Sequence, residues 1–281
     1  MPPLPQEQTW FFACASLPDP QAARLLGDAP AGATDAEALA ALQAKRGASP
    51  EHPFPPLAPA LSRVVAIAAV LRRQRAGETR LELLWLPRDC TRAEQTAEIS
   101  VVGTFLQAVG KFQPQLVGYG SRRRDLPLLM QRALVLGLHL PEFCRPPRTA
   151  GPADTFTPGG HQHLDVAETL ASGGDSPPPL VELAVLAGIP GSPAPDGQAS
   201  VTLWLDGQLG SVVQQSCFRA LSTYLIWMRL MHLEGGIDRE AYDDEQQRLL
   251  DRLLELGEQP ETEFLNRYVE EWERLKQATG Q

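Results

Sequence analysis

The chain has 281 residues, 43% hydrophobic and 21% charged, with a formal net charge of −9. That length suits one large domain or one domain with appendages, and the balance suits a protein that can bury a real core. General attraction to a phosphate backbone is excluded for so acidic a chain, so any nucleic-acid contact would need a local basic cleft.

No run approaches the ~18–20 apolar residues of a membrane span. The opening MPPLPQEQTW has neither a basic region nor a long apolar stretch. No membrane and no signal peptide are therefore expected, and the compartment expected is the cytoplasm. The four cysteines, Cys14, Cys90, Cys144 and Cys217, form no CxxC pair, which argues against structural zinc and against a disulfide framework.

Taken in chain order, residues 1–8 are expected to be disordered, and TWFFACAS (9–16) is an apolar run ended by a Pro-Asp-Pro turn, which suits a buried strand. Residues 21–60 are rich in Ala, Gly and Pro, with a helical stretch over 35–45 and an irregular EHPFPPLAP. RVVAIAAVLR (63–72) reads as a second strand, and the alternation of RLELLWL (80–86) as its pairing partner. Apolar residues at helical spacing (Ile99, Val102, Phe105, Leu106, Val109) predict a helix over 94–112. QLVGY (115–119) follows as a fourth strand, and 126–138 as a helix. A Pro/Gly-rich loop covers 141–162, and residues 163–170 are short and mixed. Residues 180–187 predict an amphipathic helix, and 188–200 a further loop. A long apolar helix over 208–234 ends before Gly235-Gly236, where a C-cap glycine belongs. Two charged amphipathic helices, 239–256 and 261–277, close the chain. The order predicts an α/β domain over 9–236, with a mixed sheet and helices on its faces. Residues 237–281 are then C-terminal helices packed on that domain or appended to it.

Several stretches carry a resemblance in their order and spacing: FACASLPD (12–19), SRVVAIAAVLR (62–72), PQLVGYGSRRRDLPLLMQRAL (114–134), HLDV (163–166), LVELAVLAGIPG (180–191) and TYLIWMRLMHLEGGI (223–237). From about Thr9 to Trp272 the chain resembles predicted 3'-5' exonucleases related to the proofreading domain of family-B DNA polymerases. The resemblance implies a ribonuclease H-like, mixed five-stranded sheet flanked by helices, with the C-terminal helices as an extension. It also implies two divalent metals, Mg²⁺ or Mn²⁺, that activate a water and stabilise a leaving oxygen. Such hard ions take oxygen ligands, here four carboxylates. In the family these are Asp-x-Glu on the first strand, an Asp after the fourth strand, and the Asp of a late-helix Tyr-x-x-x-Asp.

Carried onto this chain, the Asp-x-Glu pair falls on Ala13 and Ala15, and the late-helix pair on Ser216 and Ala220. Asp125 is the one carboxylate retained. Deliberate substitution would also leave alanines, but Ser192, Ser216, Phe218 and Arg219 depart from the family pattern too, and abolishing catalysis does not require those changes. The chain reads as a natural degeneration, with Phe218 and Arg219 expected to bring bulk and positive charge to the vacated metal site. Asp19 is read as a turn residue. His161, His163 and Asp165 alternate as strand ligands could, but are read as a family-shared His-Leu-Asp entering a helix, with His161 incidental.

Arg122, Arg123 and Arg124 are the best local phosphate contacts, with a solvated charged loop as the plain alternative. Tyr119 could stack on a base, although a strand-end tyrosine more often sits in the core. The expected function is a catalytically degenerate exonuclease relative that binds single-stranded nucleic acid or an unidentified protein, with no cofactor. The alternative is an active metal-dependent 3'-5' exonuclease rebuilt around Asp125, Asp165 and His163, using Mg²⁺ or Mn²⁺.

Overall fold

The structure is a computed structural model that describes residues 7–75, 77–144, 162–171, 177–191 and 197–280. Strand β1 (Gln8–Pro18) begins inside the segment expected to be unstructured, and is apolar almost throughout because both its faces are covered. At its end Asp19 caps α1 (Pro20–Leu25), accepting from the Gln21 amide at 3.0 Å. In the Ala/Pro-rich insertion, Thr34 and Glu37 form a capping box at the start of α2 (Asp35–Lys45). A 3₁₀ turn (Pro59–Leu61) leads into β2 (Ser62–Arg75), which is antiparallel to β1 and to β3 (Glu78–Leu86). The register sets Ala13 opposite Ala68 and Ala15 opposite Ala66, and shifts just beyond Ala15.

The expected helix over 94–112 is broken at Ala97, whose extended backbone separates α3 (Ala93–Thr96) from α4 (Glu98–Phe112). Strand β4 (Gln115–Gly118) lies parallel to β1 and is followed by α5 (Asp125–Val135) and the short α6 (Pro141–Cys144). Strand β5 (His163–Asp165) pairs parallel with β4 and runs straight into α7 (Val166–Ala171). The remaining helices are α8 (Leu180–Leu186), α9 (Gly197–Leu205), α10 (Leu209–Leu233), α11 (Arg239–Gly257) and α12 (Phe264–Thr279). Helix α9 begins in what reads as a Gly/Pro loop.

The sheet order is β3-β2-β1-β4-β5. With three antiparallel strands, two parallel ones and helices on the faces, this is the expected ribonuclease H-like α/β fold. Alternation along β1 divides the core. Phe11, Ala13, Ala15 and Leu17 pack with α10, while Trp10, Phe12 and Cys14 pack with α4 and α5. Phe11 sits 4.9 Å from the Tyr224 ring and 4.8 Å from Trp227, so α10 is held to the sheet centre by aromatic contacts, each worth ~0.5–1.5 kcal/mol beyond burial. On the opposite face, buried Arg132 of α5 pairs with Glu98 of α4 (2.6 Å) and with Asp19 (2.8 Å). This tie holds the last turn of α5 against α4 and the end of β1. Among the described residues no helix is long and apolar enough to cross a membrane.

Candidate functional site

The site expected from the sequence lies where β1, the β4–α5 turn and α10 meet. Strand β4 ends in Gly118, where a Cβ would fall 2.3 Å from the Ser121 hydroxyl oxygen. Gly120 takes a φ of 68°, a conformation that favours glycine. Together they fold Tyr119–Arg124 into a tight turn that delivers Asp125 as the first residue of α5. An acidic group suits that position beside the helix N-terminus.

Asp125 is 1% exposed, and both of its oxygens are engaged by its neighbour. Arg124 Nε donates to Oδ1 at 2.9 Å and Arg124 Nη2 to Oδ2 at 3.3 Å, a forked ion pair. Ala13 and Ala15 are buried on the α10 side of β1 and contribute only methyl groups. Ser216 donates back to Val212 O at 3.1 Å, inside its own helix, and Ala220 is fully buried. Arg219 Nη1 donates to Cys14 O at 3.0 Å, which brings its guanidinium to the middle of β1 within electrostatic reach of Asp125 and Arg124. Burial, and then repulsion from Arg124, lower its pKa to about 10, so it stays charged at neutral pH. Burial also raises the Cys14 thiol well above its usual range, which keeps it neutral.

Phe218 does not join this group. Its ring packs against Phe264 (5.9 Å) and Tyr268 (5.2 Å) of α12, because one helical step turns it about 100° from Arg219. The expectation that both residues enter the vacated site is therefore corrected to Arg219. Tyr119 departs from the stacking role as well. It is 8% exposed and donates its hydroxyl to Pro178 O, so the ring belongs to the core and offers no platform for a base. Burial, and then the nearby Asp165, push the phenol up to about 12.

The three arginines of the turn have different surroundings. Arg122 is drawn to Glu168 of α7 (2.8 Å) and to His163 O (3.3 Å), which closes the turn against β5. Arg123 projects into solvent, with Glu168 at 3.6 Å. The Arg124 side chain is 54% exposed even while it forks onto Asp125.

Asp165 and His163 do not converge on Asp125 as ligands. Asp165 accepts from the amides of Gly120 (2.8 Å), Arg122 (2.8 Å) and Ala167 (3.0 Å), so it caps α7 and fastens the turn. His163 is buried, with Nε2 2.9 Å from the Ser121 hydroxyl. Burial, and then Arg122, lower its pKa to about 3, leaving it neutral. Among the described residues no three His, Cys, Asp or Glu side chains group as metal ligands. His161 and Ser192 lie outside the described residues. The donor set at Asp125 does not fit a pair of hard divalent ions: two methyl groups replace the strand carboxylates, and the one remaining carboxylate is already forked by a guanidinium. Of these features, neither the Arg124–Asp125 fork nor the reach of Arg219 to β1 is carried by a sequence pattern, since one joins adjacent residues and the other joins residues about two hundred apart.

The family of predicted 3'-5' exonucleases related to the exonuclease domain of PolB matches residues 53–272, more than three quarters of the chain. The matched stretch starts downstream of β1 and includes Asp125, Ser216, Arg219 and Ala220. Among solved structures, the family B DNA polymerase from the hyperthermophilic archaeon Pyrobaculum calidifontis is similar at 17% identity and a TM-score of 0.44. That likeness covers 99% of this chain and 30% of the polymerase, so this chain spans less than a third of that protein. No curated protein sequence matches. The chain belongs to the family of predicted 3'-5' exonucleases related to the exonuclease domain of PolB.

Proposed function

We propose that this protein is a catalytically degenerate member of its family that binds single-stranded nucleic acid without cutting it. The observation that carries the reading is the state of Asp125, whose two oxygens are forked by Arg124, while Ala13 and Ala15 of β1 offer only buried methyl groups. Phosphodiester hydrolysis by two metals needs those ions held and aligned by several carboxylates. A lone Asp already paired with one guanidinium and close to a second cannot compete with the hydration shells of two divalent ions. The same change leaves positive charge where an active enzyme would hold metal. In a chain of net charge −9, this turn is the local basic patch that binding a strand requires.

Calorimetric titration with Mn²⁺, paired with degradation of an end-labelled single strand, tests the reading. The expected result is no micromolar metal binding and an intact strand, with weak, salt-sensitive strand association. Mn²⁺-dependent degradation that disappears in Asp125→Ala would sink it.

A further inference from the structure

Two guanidiniums stand beside one carboxylate at the centre of this site. Arg124 takes both oxygens of Asp125, so among the described residues Arg219 has no carboxylate within ion-pairing distance. Its one hydrogen bond there is from Nη1 to Cys14 O, and its Nε and Nη2 have no acceptor. Arg124 spends Nε and Nη2 on Asp125 and on Tyr119 O, which leaves Nη1 uncommitted on a side chain that is half exposed. Around them, Arg122 and Arg123 both reach Glu168, and the Asp165 carboxylate accepts from backbone amides. Among the described residues, Arg124 and Arg219 thus set two guanidiniums beside the one Asp125 carboxylate, with unspent N–H donors on both.

We propose that Arg124 and Arg219 form a metal-independent site for the terminal phosphate of a single strand, in which guanidinium N–H donors grip the oxygens that metal ions hold in a catalytic relative. This rests on the reading above that the chain binds a strand without cutting it. Guanidinium geometry matches phosphate oxygens two at a time, and partial burial protects the contact from salt. A terminal monoester carries ~1.5–2 negative charges against one for an internal diester, so it answers the excess positive charge better. It also relieves the repulsion between the two guanidiniums.

The test is fluorescence anisotropy in EDTA with a short labelled single strand ending in a 3'-hydroxyl or a 3'-phosphate, with inorganic phosphate as competitor. The wild-type protein is expected to bind without metal and to prefer the 3'-phosphate about tenfold, the scale of one or two charge-assisted hydrogen bonds. Inorganic phosphate should compete. Arg219→Gln should bring the two strands to equal affinity. Arg219→Lys, which keeps the charge but loses the fork, should keep only part of the preference, and it serves if the Gln variant fails to fold. Binding that EDTA abolishes, or a full 3'-phosphate preference in Arg219→Gln, overturns the proposal. Equal binding of both strands by wild type and variant removes this site and leaves the strand-binding reading intact. If no strand binds but inorganic phosphate raises the melting temperature of the wild type and not of Arg219→Gln, the site stands and the strand-binding reading falls. No response to either ligand removes both.

Discussion

Replacing Glu245 by Ala should destabilise the protein more than any change at the candidate site. Arg72 of β2 is 2% exposed, and Glu245 of α11 receives it in a fork of 2.5 and 3.0 Å, with the Tyr224 hydroxyl donating to the same carboxylate at 2.7 Å. Removing one partner of a buried pair strands the other charge, which costs ~3–5 kcal/mol. The orphaned Tyr224 hydroxyl adds ~1 kcal/mol. At ~2–4 °C per kcal/mol, the melting temperature should drop by ~8–24 °C. Urea denaturation followed by circular dichroism gives the free energy, and Arg72→Met/Glu245→Leu gives the control. The double change removes both charges, so it should recover most of the loss. A single change costing under ~1 kcal/mol would refute the claim that this pair binds the C-terminal helices to the sheet, as would a double change no better than the single one.

Two further outcomes are expected near the site. His163 is held at about 3 by burial and then by Arg122, whereas an unfolded histidine titrates near ~6.5. Between those values the unfolded chain binds a proton that the folded one refuses, so lowering the pH across that window removes stability, ~2 kcal/mol by pH ~5. His163→Gln should flatten the pH dependence of the urea midpoint by that amount, and an unchanged slope counts against the assignment. Gly118→Ala should cost ~1–3 kcal/mol in the same assay, because its Cβ would meet Ser121 Oγ at 2.3 Å and drive it off His163. An alanine variant as stable as wild type would show that the turn gives way instead.

What the sequence made legible follows from the range of the forces involved. Strands β1 to β4 are written in local apolar runs, so their existence and order could be read directly. Strand β5 has three residues and exists because Leu116 and Val117 pair with His163 and Leu164, a long-range fact with no local period. Ile99 fits the apolar stripe of its segment yet is 49% exposed, since the helix restarts at Glu98 and turns Val101, Val102, Phe105 and Leu106 inward. Helix α9 was hidden by glycine and proline next to its start. At the site, Asp125 and Ala220 lie within the stretch that matches the family, whereas Ala13 and Ala15 lie upstream of it. The partner of Asp125 could not be read from the sequence, because a fork between adjacent residues depends on the turn that Gly118 and Gly120 allow.

That fork bears on what a retained carboxylate means. An ionised Asp125 at 1% exposure is costly unless something compensates it. In a two-metal enzyme the ions supply that compensation, and an arginine at position 219 would oppose them, since cations repel more strongly where water is scarce. With the strand carboxylates gone the balance reverses: Arg124 and Arg219 become the counter-charges, and Asp125 becomes what holds them in place. Under the proposed function, the absence of carboxylates at positions 13 and 15 and the presence of Arg219 are then one electrostatic change. On that reading, Asp125 persists because the half-exposed Arg124 and the partly buried Arg219 need it. Its survival as the single family carboxylate therefore argues for the integrity of this cluster, and lends no weight to hydrolysis.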